Sequence, residues 1–224
     1  MTEFINFEVL SGKENMDKDA ELFEKVCAQK SNEPILRFYG WNPPCVSLGR
    51  NQKEETINKD YCIRNGIDIV RRITGGRALL HQNELTYSFI CSTDFIGNEN
   101  IKKSYEIISE GLIEGFRTLG IEADFGNKKP DTKYNYCMLL STGADLNYRN
   151  KKLVGSAQYR ANGYILQHGS ILYTINQTHI KNIFNENIEE KLITLSEILP
   201  EIKTEEIISA LKSGFEKHFN VKFL

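Results

Sequence analysis

Residues 151–170 read KKLVGSAQYRANGYILQHGS, and this stretch does most to decide the fold. Its pattern predicts a hairpin followed by a third strand, at residues 145–148, 152–159 and 164–167. The small residues Gly155, Ser156 and Ala157 leave room for another group beside the backbone. Polar side chains on the neighbouring strands, Gln158 and His168 among them, make this region a candidate site.

The sequence on either side predicts both helices and strands. Apolar residues that recur every three or four positions predict helices at residues 14–29, 54–65 and 101–119. Short apolar or alternating runs predict strands at residues 34–40, 45–49, 67–70, 85–91 and 171–175. From residue 176 onward a helical tail is predicted, ending in a short strand at residues 220–224. Because strands do not alternate strictly with helices, the order favours an α+β fold over a doubly wound sheet.

Length and charge narrow the classes of protein. With 224 residues and about 150 residues per domain, we expect one domain over residues 1–224, with 176–224 as its helical C-terminal part. The net charge of −2 argues against a general nucleic-acid binder. There is no apolar run of about 18 residues and no leader with basic and apolar regions, so we expect a cytoplasmic protein without membrane contact. No exposed apolar stripe stands out, which favours a monomer.

Five cysteines raise the question of a reactive thiol. Their odd number and the absence of a CxxC pair argue against a disulfide framework or a structural metal site. Four of them lie on or beside apolar helix or strand positions, where cysteines are inert: Cys27, Cys45, Cys62 and Cys91. Cys137 lies in a polar stretch and is the candidate accessible thiol, which a nearby lysine would favour as thiolate. The alternative is one more unreactive cysteine.

A second candidate segment, RRITGGRALLH, occupies residues 71–81. Its Gly75-Gly76 pair allows a positive φ and a close approach of the backbone to a ligand. The flanking arginines offer fixed donors for an anion such as a phosphate or a pantetheine arm. The alternative is a glycine hairpin turn with solvated arginines. Lys152 and His168 carry the same ambiguity, since each could be a solvated or purely structural side chain.

Taken together, these segments resemble the lipoate-attachment branch of the biotin/lipoate protein ligase superfamily, and within it the cysteine-dependent octanoyltransferases of the LipM type. The resemblance covers roughly residues 15 to 175. It rests on Asn15, Met16, Asp19 and Leu22; on RFYGWNP at 37–43; on Arg71, Arg72, Thr74, Gly75, Gly76 and Arg77; on Leu80, His81 and ELTYS at 84–88; on Gly111, Gly115 and Gly120; and on Lys152, Gly155, Ser156, Ala157, Gln158, Arg160 and LQHGSI at 166–171.

The resemblance implies a mixed central sheet flanked by helices, with an apolar tunnel for an eight-carbon chain. It implies that Lys152 is catalytic, and that Cys137, fifteen residues earlier, is the nucleophile. Asp145-Leu146 holds the place of a Glu-Leu pair of that branch. The residues expected to bind substrate are Arg72, Thr74, Gly75, Gly76, Arg77, His81, Gly155, Ser156, Ala157, Gln158 and His168. No metal is expected.

The resemblance also implies an activity. Cys137 would accept an octanoyl or lipoyl group from acyl carrier protein and pass it to a lysine of a lipoyl-domain protein, such as the glycine cleavage H protein or a dehydrogenase E2. No further cofactor is required. The first alternative is a lipoate–protein ligase that uses ATP, lipoate and Lys152. Familiar ligases carry an extra C-terminal domain, for which we expect no room here. Further alternatives are an amidotransferase between lipoyl domains and a non-catalytic acyl- or lipoyl-domain-binding protein.

Overall fold

A seven-stranded mixed β-sheet forms the centre of the computed structural model, which describes residues 2–126, 135–139, 145–187 and 191–224. In spatial order its strands are β1 (Glu3–Leu10), β2 (Ile35–Trp41), β6 (Glu84–Ser92), β10 (Tyr164–Leu172), β9 (Lys151–Ala161), β8 (Leu146–Tyr148) and β7 (Asp124–Phe125). The β1–β2 pair is parallel and every other pair is antiparallel. The mixed sheet that the family resemblance implies, and the α+β class, are confirmed.

A smaller sheet, which the sequence did not predict, packs beside the first. It orders β4 (Asp68–Arg71), β3 (Cys45–Leu48) and β5 (Leu79–His81), with β3 parallel to β4 and antiparallel to β5. Its core side is closed by α2 (Lys59–Arg64) and α4 (Gln177–Phe184), whose apolar residues join those of the strands in one buried cluster.

Helices cover both faces of the larger sheet. On one face lie α3 (Ile101–Thr118) and α6 (Thr204–Phe219), and on the other lies α1 (Gly12–Gln29). Side chains of a strand alternate between faces, so Phe89 packs under α3 and α6 while Ile90 packs under α1. The short helix α5 (Leu195–Ile198) completes the helical C-terminal part that was predicted from residue 176. Among the described residues, no helix is long and apolar enough to cross a bilayer.

The larger errors of the sequence prediction have local physical causes. The helix predicted at 54–65 is interrupted, because Asn58 caps a new helix by accepting a hydrogen bond from the Tyr61 N–H. The strands predicted at 164–167 and 171–175 are one strand, β10, since His168, Gly169 and Ser170 pair with both β6 and β9.

Other parts of the prediction differ from the structure or lie outside the described residues. No strand forms at 220–224; instead the Leu224 carbonyl accepts from the Phe4 N–H. Strands β1 and β5 were not predicted at all. Most of the predicted loop at 126–136 lies outside the described residues.

The contact between α3 and α6 depends on glycines that allow close helix approach. A Cβ placed at Gly214 would lie 2.2 Å from the Gly115 nitrogen and 2.4 Å from the Gly111 carbonyl oxygen. Those are backbone atoms, so a side chain could be accepted only if the helices moved apart.

We therefore predict that Gly214→Ala lowers the free energy of unfolding by about 1–3 kcal/mol, as overpacking does. This penalty exceeds the gain of about 0.5–1 kcal/mol that alanine normally brings to a helix interior. Urea unfolding followed by circular dichroism measures the difference. Ser213→Ala, at an exposed position of the same helix, is the control and should not destabilise. Equal stability of the Gly214→Ala variant and the wild type would contradict the packing account.

Candidate active site

A narrow cavity lies between α1, the smaller sheet and the face of the larger sheet that carries His168. Its walls include Met16 of α1, Leu79 of β5, and Gly155 and Ala157 of β9. Its volume is only about 20 Å³, little more than one water molecule needs. The cavity is thus a slot, and an alkyl chain can enter only if a wall side chain moves. Met16 is suited to that, because methionine is unbranched and flexible.

Cys137 lies on the wall of this cavity. It begins a single 3₁₀ turn, Cys137–Leu139, whose position is set by a 2.8 Å hydrogen bond from the Cys137 N–H to the Ala78 carbonyl. Its side chain is half-buried and faces the slot. Burial raises the pKa of the other four thiols, which favours their unreactive neutral form: Cys27, Cys45, Cys62 and Cys91. Cys137 is the cysteine that opens on this cavity.

Lys152 is fixed next to the Cys137 turn by a buried ion pair. Its Nζ lies 3.0 Å from Asp145 Oδ1, with only 7% and 5% of the two side chains exposed. Nζ also donates to the Cys137 carbonyl oxygen at 3.3 Å. A Cβ at Gly155 would lie 3.1 Å from Lys152 Cε and 2.7 Å from Met138 Sδ, so a glycine is needed here to make room for the lysine. A buried cation is therefore held at the reactive end of the slot.

Arg72 uses all five of its N–H donors within the protein. Nε donates to Thr74 Oγ1 at 3.1 Å, and Nη1 donates to the carbonyl and hydroxyl oxygens of Ser47 at 2.9 and 3.1 Å. Nη2 donates to the carbonyls of Gly75 and Arg77, both at 2.8 Å. Burial lowers the pKa of Arg72, and the nearby Cys137 thiol opposes that shift. The guanidinium orders the loop and the cavity wall, so a direct bond to substrate would have to replace one of these contacts.

The first of two buried chains of hydrogen bonds leads from Arg72 through Thr74 to His168 and Asp19. Thr74 Oγ1 accepts from Arg72, so its proton is available to His168 Nε2, 2.8 Å away. His168 Nδ1 then donates to Asp19 Oδ2 at 3.1 Å. Asp19 also accepts from Arg37 and Tyr39, both at 2.9 Å. This carboxylate joins α1 to β2 and β10.

The second chain has the same chemistry. Ser47 Oγ accepts from Arg72 and lies 2.7 Å from His81 Nε2, while His81 Nδ1 lies 2.6 Å from Glu84 Oε1. The His81 ring is stacked on Trp41, with 3.8 Å between ring centroids. Two histidines in fixed orientation therefore line the slot, each between a hydroxyl and a carboxylate.

The buried charges set the protonation of the first chain. Burial acts to raise the pKa of Asp19, but hydrogen bonds from His168 and Tyr39 and the charge of Arg37 outweigh it and hold that pKa below its usual value. Burial lowers the pKa of His168 against the opposing effect of Asp19. Both pKa shifts favour an ionised Asp19 and a neutral His168. If Thr74 donates to Nε2, the ring proton of His168 is on Nδ1, facing Asp19.

Most of the residues singled out from the sequence meet at this cavity. Its lining includes Cys137, Arg72, His81, Gly155, Ser156, Ala157 and His168. Thr74, Gly75 and Arg77 accept hydrogen bonds from Arg72, which lines the cavity. Lys152 donates to the carbonyl of Cys137, which also lines it. Gly76 has the positive φ, +97°, that the glycine pair predicted. Gln158 does not reach it: its side chain accepts from Ser104 of α3 and donates to Gln167, on the opposite sheet face.

Sequence reasoning assigned no site role to five side chains that build the cavity: Asp19, Trp41, Ser47, Glu84 and Asp145. Four of them belong to the motifs that carry the family resemblance. Asp19 follows Asn15-Met16, and Trp41 lies in RFYGWNP. Glu84 precedes Leu-Thr-Tyr-Ser, and Asp145 holds the place of a Glu. Their types were the available signal. The partners of Asp19, Trp41 and Ser47 lie far away in sequence. Glu84 and Asp145 pair with nearby residues, His81 and Lys152. Among the described residues, no group of three His, Cys, Asp or Glu side chains could hold a metal ion.

We predict that Asp19→Asn lowers the free energy of unfolding at pH 7 by about 3 kcal/mol or more, because it leaves buried Arg37 without its counter-charge. Since the folded-state pKa of Asp19 is below its ordinary value, its contribution is complete above about pH 4 and is lost as the pH falls further. The difference in the free energy of unfolding between wild type and variant should therefore shrink below about pH 4.

Urea unfolding at pH 7 and at two or three lower values measures this difference. Asp17→Asn, which breaks an exposed ion pair on the same helix, is the control and should change little. An Asp19→Asn variant as stable as the control would show that the buried pair does not hold α1 to the sheet.

Comparison with known proteins identifies the family of this chain. The family model of the lipoyl protein ligase A/B catalytic domain matches residues 11–216. The octanoyltransferase LipM of Halalkalibacterium halodurans is 36% identical over 212 residues, covering 84% of this chain and 76% of that protein. The octanoyltransferase LipM of Staphylococcus epidermidis is 34% identical over 248 residues, covering 100% and 90%.

Solved structures show the same fold. A lipoate-protein ligase A bound with ATP superposes with a TM-score of 0.82 at 23% identity, covering 100% of this chain and 88% of that one. The bi-partite lipoate protein ligase of Thermoplasma acidophilum gives 0.74 at 21% identity, covering 100% and 86%. With a family model over most of its length and relatives above 30% identity, this chain belongs to the lipoyl protein ligase A/B catalytic domain family.

Proposed function

We propose that this protein is an octanoyltransferase of protein lipoylation, which moves an octanoyl or lipoyl group from acyl carrier protein to a lysine of a lipoyl-domain protein through a thioester on Cys137. The observation that carries the proposal is the half-buried Cys137 on the wall of the slot. The ammonium of Lys152 donates a hydrogen bond to the backbone carbonyl oxygen of Cys137. Relatives at 34–37% identity over most of this chain bear the name octanoyltransferase.

The first step exchanges one thioester for another. The sulfur of Cys137 attacks the acyl carbonyl carbon, a new carbon–sulfur bond forms, and the bond to the carrier's sulfur breaks. The carrier leaves as a thiol, taking the proton that Cys137 gave up. Because the two thioesters are similar in energy, the step is near neutral and needs no nucleotide. Covalent catalysis of this kind divides one difficult transfer into two easier ones.

The second step forms an amide. The neutral amine of the acceptor lysine attacks the Cys137 thioester, a carbon–nitrogen bond forms, and Cys137 leaves and recovers a proton from the amine. We assign the transfer of that proton to Lys152 and Asp145, whose ion pair lies beside the Cys137 carbonyl. An amide is more stable than a thioester, so this step makes the sequence irreversible.

The length of the slot suits an eight-carbon chain. The Cys137 N–H donates a hydrogen bond to the carbonyl of Ala78, just before β5. His81 lies three residues after Ala78, so the two residues are about 10 Å apart at the usual strand rise. Eight carbons in an extended chain span about 9 Å, taking about 1.5 Å per bond and a tetrahedral angle. The stacked Trp41 and His81 rings thus stand where the end of an octanoyl chain would lie. Burial of eight carbons would supply at most roughly 6 kcal/mol.

The proposal includes the partners and the setting. The donor is acyl carrier protein, the acceptor a glycine cleavage H protein or a dehydrogenase E2, and the enzyme works as a cytoplasmic monomer with no nucleic acid or membrane. The solved structure of similar fold from Thermoplasma acidophilum belongs to a study of a bi-partite lipoate protein ligase and its E2 lipoyl domain. No further cofactor takes part in the two steps.

We predict that the wild-type protein attaches one octanoyl group to a purified lipoyl domain when given octanoyl carrier protein and no ATP. Cys137→Ala should lower the rate roughly 10³-fold or more, as loss of a catalytic nucleophile does. Intact-mass spectrometry of the lipoyl domain over time measures the transfer. Cys62→Ala makes the same chemical change at a buried thiol outside the slot and should keep the activity.

Three results would contradict the proposal. Transfer that requires ATP and free acid, and survives Cys137→Ala, would identify a ligase. Transfer from one acylated lipoyl domain to another, but not from the carrier, would identify an amidotransferase. No transfer by the wild type from any donor would leave only a binding function.

A further inference from the structure

A second, open groove lies beside the loop of residues 71–77. About 1100 Å³ of it is wide enough for water, far more than in the slot. Its floor is apolar and aromatic, with Phe23 of α1, Ile73 of the loop, Tyr159 of β9 and Tyr164 of β10. Neither the catalytic steps nor the buried chains of hydrogen bonds use these side chains.

The groove continues the line of the slot. Ala157 of β9 lines the slot, and Tyr159, two residues further on the same face of the strand, lines the groove about 7 Å away. Along α1, Met16 lines the slot and Phe23 the groove. Among the described residues, Arg72 is the one that lines both. A ligand lying in the groove would therefore point one end toward Arg72 and the Cys137 side of the slot.

The groove is cationic in a chain whose net charge is −2. Four basic side chains line it, against the two carboxylates of Glu24 and Asp94: Lys30, Arg50, Arg71 and Arg72. Arg71 and Arg72 donate to backbone carbonyls of the surrounding loops. Arg50 is exposed, and its guanidinium lies 5.4 Å from the ring centroid of Tyr159, above the floor. A phosphate held there would meet a delocalised cation.

We propose, on the basis of the proposed function, that this groove binds the pantetheine arm of the acyl carrier donor. The amide and methyl groups of the arm lie on Phe23, Tyr159 and Tyr164, its phosphodiester pairs with Arg50, and its thioester passes Arg72 to reach Cys137. The apolar floor and the exposed Arg50 suit an extended chain that carries an anion. The acceptor lysine offers four methylenes and no anion, so it would leave most of the groove unfilled.

The test compares two donors in the acyl-enzyme step alone. One is octanoyl carrier protein, and the other is octanoyl-N-acetylcysteamine, which has the thioester end of the arm but no phosphate. Intact-mass spectrometry of the enzyme at increasing donor concentration gives a KM for each. We expect Arg50→Glu to raise the ratio of the two KM values, carrier donor over small donor, about tenfold or more, the effect of losing one charge-assisted hydrogen bond.

A matched control and a milder variant complete the experiment. Arg64→Glu changes the same charge at an exposed position of α2 outside the groove, and should leave the ratio as in the wild type. Arg50→Gln removes the charge without reversing it, and should raise the ratio by a smaller factor.

Each remaining outcome bears on one hypothesis. An unchanged ratio in both Arg50 variants, or the same shift with Arg64→Glu, would overturn the groove proposal. Slower transfer from preformed acyl-enzyme to the lipoyl domain, with an unchanged donor ratio, would assign the groove to the acceptor and also overturn it. If the wild type formed no acyl-enzyme with either donor, the proposed function itself would fail.

Discussion

The candidate active site depends on one guanidinium group whose five N–H donors are all engaged. Arg72 holds the loop of residues 71–77 through two carbonyls, holds β3 through Ser47, and holds Thr74. A lysine could replace at most three of these donors and lacks the planar fork that directs them. Since several of the acceptors are buried, each one left unpaired would cost about 1–3 kcal/mol. The arginine is thus the element around which the slot is built.

Two chains with the same order of groups, hydroxyl, imidazole and carboxylate, start from this guanidinium. One ends at Asp19, which ties α1 to the larger sheet, and the other at Glu84, at the start of β6. Because each hydroxyl accepts from the arginine, its proton is directed to a histidine nitrogen. The histidines therefore face the slot in fixed orientations, while the groups that move protons in the proposed reaction, Lys152 and Asp145, form a separate pair on the Cys137 side.

Elements specified by local pattern could be predicted from the sequence. The helix predicted at 101–119 is found at Ile101–Thr118, since one apolar stripe defines it. The hairpin around Arg149-Asn150 forms with both residues at positive φ, as a two-residue turn requires. Strand β10 was divided in the prediction because Gly169 and Ser170 carry no apolar signal; pairing on both sides keeps it continuous.

The chemistry of the site could be predicted only in part. Cys137, Arg72, His81 and His168 do meet at one cavity, but their contacts could not be read from residue types. Three acceptors of Arg72 are backbone carbonyls, and Asp19 meets His168 across 149 residues of chain. Gln158 was expected at the substrate and faces α3 instead, because it is one residue away from Ala157 on an alternating strand.

The central claim is that Cys137 carries the acyl group, and isolating the acyl-enzyme tests it most directly. Wild-type protein incubated with octanoyl carrier protein, without ATP and without acceptor, would be digested and its peptides analysed by mass spectrometry. The account predicts one octanoyl group on the peptide that contains Cys137, removed by hydroxylamine as a thioester is. An unmodified Cys137 peptide alongside an active enzyme, or an octanoyl group on another residue that the enzyme passes to the acceptor, would contradict it.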